Sequence, residues 1–344
     1  MLFKLVLMLA AITGSWGFSF AIGSTRNKLT RSFTKRLNMK AHTLSSAEAA
    51  GLLARIEENN SFGGKHLTKD FVPFSVEGKI YGYVSPDFAK VCANYPDAFA
   101  YENDALMLSS GLDTPEKRSD TVQAINRGLR DDGVIKGWRE EMLPVVESFS
   151  SDPIFLIERA AYSYFGMKGY GVHVNGYVRD DKGEVAQLWV AKRAKDKSTW
   201  PGMLDHVVAG GQPYGISPTD NVIKECGEEA NIPEEIARTA LSAGAVSYSS
   251  LDELGNLKRD ALFCYDLELA RDFTPTPVDG EVESFKSYSI PEIINILVEG
   301  GPGGYKPNCS LVVIDFLIRH GLIAPESPRY LEIVSGLRVP ATCK

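Results

Sequence analysis

Cysteine is sparse in this chain, with five in 344 residues, Cys92, Cys226, Cys264, Cys309 and Cys343, and no CxxC pair among them. An odd, scattered set argues against a disulfide framework, and the missing pairs argue against a paired-cysteine structural zinc site. A reducing compartment is the natural setting. Histidine is sparse as well, and His173, His206 and His320 stand far apart without a zinc pattern, so they read as surface or core histidines. Basic residues are concentrated at one end: residues 1–47 hold seven Lys or Arg and no acid, so the formal charge of −7 leaves about −14 on the rest. An acidic body without a basic stripe offers a phosphodiester backbone little to bind, and nucleic acid is not expected as a partner. Long apolar runs and internal repeats are also missing. The run ending at Ile12 is too short to span a bilayer, and no stable membrane association is expected. What is present is 44% hydrophobic residues, enough for packed cores, and a length that suggests two folded parts after a leader.

Residues 1–17 read as a signal peptide, with Lys4, the apolar run, and Ser15-Trp16-Gly17 before a cut. Residues 18–44 then read as a transit segment, rich in Ser, Thr, Arg and Lys without acid. The order, with Phe18 after the cut and the stretch FSFAIGS, resembles the bipartite plastid presequence of algae whose plastids lie inside extra membranes. That resemblance implies plastid (chloroplast) localisation. Plain secretion, or a cytosolic form started at Met39, are the alternatives.

The first folded part is read over 45–150 as a small α+β domain of unassigned role. Ser45 and Glu48 form a capping box before Leu52, Leu53 and Ile56, and strand-like runs flank a Glu77-Gly78 turn. Ser85-Pro86 and Thr114-Pro115-Glu116 each open a helix, the second carrying Val122, Ile125 and Leu129 on one side. The second part is read over 151–325, with strands at 154–157, 171–179, 185–191, 261–269 and 285–289 and helices at 291–299 and 310–320. The tail, 326–344, shows no clear period and is left unassigned.

The informative stretch is GGQPYGISPTDNVIKECGEEANIP, from Gly210 to Pro233. Ser217 suits an N-cap, Pro218 suits N1, Asp220 completes an acidic first turn, and Asn231 with Pro233 marks the stop. At about 100° per residue, Glu225, Glu228 and Glu229 share one side while Val222, Ile223, Cys226 and Ala230 turn toward a core. Like charges so placed repel, and Mg²⁺, which takes oxygen ligands and keeps room for phosphate, would relieve them. A solvated acidic face accounts for Glu-x-x-Glu-Glu alone. The Gly210-Gly211 pair, where backbone can approach a metal or phosphate, favours a site.

The stretch resembles a Nudix box, with Gly210 as its opening glycine, Glu225 after the arginine position, Glu228 and Glu229 as the acidic pair and Ile232 as the closing aliphatic. It departs at Ile216 for the first Glu, Lys224 for Arg, Cys226 for an aliphatic residue and Asn231 for the second Gly. Longer flanks, WVAKRAKDKSTWPGMLDHVVAGGQPYG and KPNCSLVVIDFLIRHGLI, with an N-terminal domain of about 100 residues, resemble the Nudix branch found in plants and fungi free or fused to thiamine pyrophosphokinase. The resemblance implies an α+β protein whose second domain is a Nudix α/β/α sandwich with a mixed sheet. It implies a Mg²⁺-dependent (Mn²⁺ possible) hydrolase that removes phosphate from damaged or oxidised thiamine diphosphate analogues.

Under that reading Glu225, Glu229, Glu228 and the Gly210 carbonyl hold metal, and Glu225 and Glu228 are the catalytic carboxylates, with Glu228 either a third ligand or the general base. Arg193, Lys195, Lys197 and Lys224 are candidate cations for phosphate, and Trp200 a stacking surface for a pyrimidine. Glu281 and Glu283 are alternative bases. A charged hairpin edge and a packed loop root are the plainer accounts of Arg193 to Trp200. The run Gly300 to Ser310 lacks the GK[ST] ending of a P-loop. Rival functions are hydrolysis of ADP-ribose or another nucleoside diphosphate derivative, isopentenyl diphosphate isomerisation, and non-catalytic ligand binding. The isomerase is disfavoured because Val207, Val208 and Ala209 stand where its cysteine is expected. Oligomeric state is left open.

Overall fold

The computed structural model describes residues 41–62 and 67–339; the leader through residue 40 and Cys343 lie outside the described residues. Helix α1 (Ser46–Asn59) starts where the sequence places it, with Ser45 and Glu48 closing a reciprocal capping box. It does not join the sheet that follows it. Its apolar stripe of Ala49, Leu52, Leu53 and Ile56 packs instead against three helices from the end of the chain.

After a single helical turn, α2 (Leu67–Asp70), strands β1 (Val72–Val76) and β2 (Lys79–Val84) form a hairpin. Positive φ at Glu77 and Gly78 supplies its turn. The elements α3 (Pro86–Cys92), β3 (Phe99–Glu102) and β4 (Ala105–Leu108) complete a four-stranded sheet of order β2-β1-β4-β3, in which only β1 and β4 run parallel. Helix α4 (Pro115–Asp131), capped by Thr114, and the hairpin β5 (Met142–Val145) with β6 (Phe155–Glu158) lie over it. Phe74 is the centre of this core, its ring 5.2 to 6.4 Å from those of Phe99, Phe155 and Phe165. Chain 162–167 enters the same core so closely that a Cβ on Gly82 would sit 2.1 Å from the Phe165 carbonyl.

A seven-stranded mixed sheet follows: β7 (Lys168–Arg179), β8 (Val185–Arg193), β9 (Leu204–His206), β10 (Val208–Gly211), β11 (Leu241–Leu251), β12 (Leu257–Glu268) and β13 (Val282–Ser289). Its order is β11-β12-β7-β8-β13; β10 pairs with the first half of β7, and β9 with β8. Only the β12–β7 pairing is parallel. Strand β11 was not legible, because Gly244 and a register shift between Ser242 and Ala245 break its alternation.

Helix α5 (Pro218–Ala230) lays Val222, Cys226 and Ala230 against Val172, Val174 and Leu267 on one face, followed by the single turn α6 (Glu234–Ala237). Helices α7 (Ile290–Glu299) and α8 (Pro307–Arg319) follow β13, and α8 packs against β7, β11 and β12. The fold class is therefore α+β, a small mixed domain followed by an α/β/α sandwich. The unassigned tail also has structure: α9 (Tyr330–Gly336) packs on α1 through Ile333, in a segment too short to show a period. Among the described residues no helix is long and apolar enough to cross a membrane.

Candidate active site

Helix α5 is placed by its own ends. The Ser217 hydroxyl accepts from the Asp220 amide, and Asn231 ends the helix in the left-handed conformation at φ 52°. Asn221, fully buried one turn in, donates to the Gly211 carbonyl at 2.8 Å and ties the helix start to the glycine pair on β10. This tether brings Glu225 over Gly210. A Cβ on Gly210 would lie 2.5 Å from Glu225 Oε1, so a side chain here would displace that carboxylate.

Glu229 is buried, and its Oε2 accepts from the Ala209 amide at 3.0 Å. Burial pushes its carboxyl well above the usual range, the Ala209 bond opposes this, and the charges of Asp205, Glu225 and Glu281 add to it. Glu225 is raised mainly by burial, partly offset by Lys224. Glu228 is more exposed. Lys224 Nζ lies 2.6 Å from Glu228 Oε2 and 3.4 Å from Glu225 Oε1, so it bridges two of the three carboxylates. Glu225 and Glu229 thus form a half-buried to buried pair beside a backbone turn, short of positive charge on the Glu229 side.

The other sequence candidates separate. Glu281 faces this pair electrostatically and is bound by Lys197 at 2.6 Å. Glu283 lies at the surface and pairs with Lys192 at 3.0 Å, away from it. Arg193 is engaged inward: Nη1 lies 2.8 Å from Asp205 Oδ2, and it donates to the Trp200 and Thr199 carbonyls. Trp200, at φ 54°, lines a neighbouring cavity of about 520 Å³. Ile216 holds the approach loop through its carbonyl, which accepts from Gln212 Nε2 at 2.7 Å.

Beside Ala209, Gly210 and Gly211 opens a cleft of about 340 Å³; beyond this glycine pair, the sequence did not suggest its lining. Glu141 and Arg159, paired at 2.6 Å, come from the chain before the large sheet. Tyr170, Arg259, Asp260 and Lys306 come from β7, β12 and the start of α8. None of these carries a motif, because they meet only when the chain flanking the β5–β6 hairpin comes beside the large sheet and the start of α8. The sheet also brings His173 and His206 side by side with Asp205 and Cys309, although their sequence spacing shows no relation.

Several known proteins are similar to this chain. Residues 51–169 match a family model described as a domain of unknown function (DUF4743). Nudix hydrolase 24, chloroplastic, of Arabidopsis thaliana is 44% identical over 295 residues, covering 85% of this chain and 79% of the relative. Nudix hydrolase 20, chloroplastic, from the same plant is 44% identical over 302 residues, with the same coverage. Among solved structures, a MutT/nudix family protein from Enterococcus faecalis is 12% identical at a TM-score of 0.35, covering 49% of this chain and 68% of that one.

Proposed function

The chain belongs to the Nudix hydrolase family, enzymes acting on phosphorus-containing anhydrides, and from that premise we propose that it removes phosphate from a small-molecule diphosphate. The preferred class is damaged or oxidised thiamine diphosphate analogues. The observation that carries the site is the Glu225–Glu229 pair set against Ala209 and Gly210, whose backbone also lines a cleft that offers both signs of charge. Arg159 and Lys306 suit phosphate oxygens, and Asp260 and Glu141 suit the amino and cationic groups of a thiamine-like ring system. The long flanking resemblance supports the thiamine branch.

Nudix hydrolases work with a divalent metal, and Mg²⁺, replaceable by Mn²⁺, is the ion we assign. The residues present fit it. Glu229 is a buried carboxylate with one backbone donor and no cation within ion-pair distance among the described residues, beside a second carboxylate that a side chain on Gly210 would displace. Glu225 and Glu229 would hold the ion with the Gly210 carbonyl, and when bound it supplies charge neutralisation on the diphosphate and a lowered pKa for water. Glu228, more exposed and within reach of Lys224, serves as third ligand or accepts a proton at its carboxylate from the attacking water. Glu281 is the alternative base, and Lys224 offsets charge on the leaving phosphate.

The relatives named chloroplastic and the resemblance of residues 1–44 to a bipartite presequence support a plastid location. We further propose a substrate-shaping first domain, whose core extends past residue 150 through Met167, ahead of the hydrolase domain. Isopentenyl diphosphate isomerisation has less support, since the four described cysteines are all buried and burial pushes each thiol upward.

The deciding experiment is phosphate release by purified protein with Mg²⁺. Oxidised thiamine diphosphates should be hydrolysed faster than ADP-ribose, dinucleotide cofactors and nucleoside triphosphates. The reverse order would reject the thiamine assignment while leaving the hydrolase, and no metal-dependent turnover of any diphosphate would leave only a binding module.

A further inference from the structure

On the face of the large sheet opposite α5, strands β7 and β9 and the start of α8 bring four buried metal-binding side chains together. His173, Asp205, His206 and Cys309 each offer one donor atom, and these atoms all lie within 4.8 Å of one another. His173 Nδ1 is 3.0 Å from His206 Nδ1, and Cys309 Sγ is 2.8 Å from Asp205 Oδ1 and 4.0 Å from His173 Nδ1. His206 Nδ1 is 3.9 Å from Asp205 Oδ1. A tetrahedral ion with bonds of about 2.0 Å to nitrogen and oxygen and about 2.3 Å to sulfur separates its donors by about 3.3 to 3.6 Å. The observed separations bracket that range, so small side-chain rotations would complete the tetrahedron.

We propose that these four residues form a second, closed metal site, holding Zn²⁺ through two imidazoles, one thiolate and one carboxylate. The donor set selects the ion, since nitrogen and sulfur suit zinc, whereas magnesium prefers oxygen alone. Burial keeps both imidazoles neutral, which leaves lone pairs for a metal. Binding replaces the Cys309 S–H bond with a metal–sulfur bond and releases that proton to solvent. The thiolate and the carboxylate are then its two anionic ligands.

Asp205 is already aimed for this role. Arg193 Nη1 and Lys306 Nζ lie 2.8 and 3.6 Å from its Oδ2, leaving Oδ1 directed at Cys309. His173 and Lys306 also line the cleft beside Gly210, so the ion would fix the floor of the substrate site. The assignment stands independently of the substrate and of the Glu225–Glu229 site.

The full chain, purified without chelator, should retain one zinc per chain after dialysis against excess Mg²⁺, measured by elemental analysis. Reconstitution with Co²⁺ should give a thiolate-to-cobalt charge-transfer band. Cys309→Ser should abolish that band and weaken zinc retention at least tenfold, while the Glu225→Gln, Glu229→Gln double variant should keep both. Should Cys309→Ser fail to fold, the wild-type cobalt spectrum still decides, because a folded, zinc-loaded chain that retains no zinc after dialysis and gives no thiolate band overturns the proposal. Loss of zinc in the glutamate double variant would place the ion at the other site and overturn it equally.

Discussion

At the level of single residues, Gly210 and Glu229 matter most to the candidate active site. Gly210 is held bare by the Glu225 carboxylate, which a Cβ would meet at 2.5 Å. Because the obstructing atom ends a flexible side chain, Gly210→Ala should displace Glu225 more than it disturbs the sheet. The expected outcome is a rate loss of at least about tenfold, with a thermal midpoint close to wild type, read by phosphate release and thermal melting. Glu225→Gln and Glu229→Gln should each cost at least about a hundredfold in kcat, since each removes a charge from the metal set. A Glu229→Gln enzyme with unchanged kcat at saturating Mg²⁺ would remove that residue from the site.

At the level of the element, helix α5 shows how local rules bring the carboxylates to the β10 backbone that borders the cleft. The Ser217 cap and Asn221 tether set its start, and Asn231 closes it at φ 52°, ψ 35°, a conformation that asparagine and glycine tolerate. Asn231→Ala should therefore lower stability by about 1–2 kcal/mol and Asn231→Gly should not, as chemical denaturation would show. Equal effects from both would mean that the side-chain bond from Asn231 Nδ2 to Thr276, at 3.1 Å, matters more than the backbone. Strand β10 works with the helix, since its Ala209 amide holds Glu229 while its glycines leave space for the cleft.

At the level of the whole molecule, the cleft is completed by residues from outside the large sheet. Arg159, paired with Glu141, lines it alongside Lys306. Arg159→Ala should raise KM about tenfold with kcat less affected, because a charge-assisted phosphate contact would be lost in ground and transition state alike; steady-state kinetics on the preferred diphosphate reads this directly. The far side of the sheet carries a separate buried network. Burial would raise the Asp266 carboxyl, but bonds from His320, Arg319 and Asn175 outweigh this and lower it from 3.8 to about 2. A carboxylate depressed in the folded state adds stability that is complete above its unfolded value and fades as pH falls through the folded one. The loss should span pH 3.8 to about 2 and amount to about 2 kcal/mol. Asp266→Asn should flatten that acid limb in denaturation measured against pH, and an unchanged limb would assign it to other carboxylates.

The parts of this protein legible in its sequence are those decided within a few neighbouring residues. The caps at Ser45, Ser85, Thr114 and Ser217, the turn at Glu77-Gly78 and the stop at Asn231 follow from backbone preferences that a short window contains. So does the shared face of Glu225, Glu228 and Glu229, because helical periodicity alone sets it. Tertiary structure decided what depends on distant partners. It turned α1 away from the sheet it precedes, gave the tail a helix, and bound Arg193 and Lys197 to Asp205 and Glu281. It also ranked the three glutamates by burial, which periodicity cannot do. The meeting of His173, Asp205, His206 and Cys309 is the clearest case. Their elements lie up to 136 residues apart, and only sheet pairing and helix packing, which act through space, put them within 4.8 Å of each other.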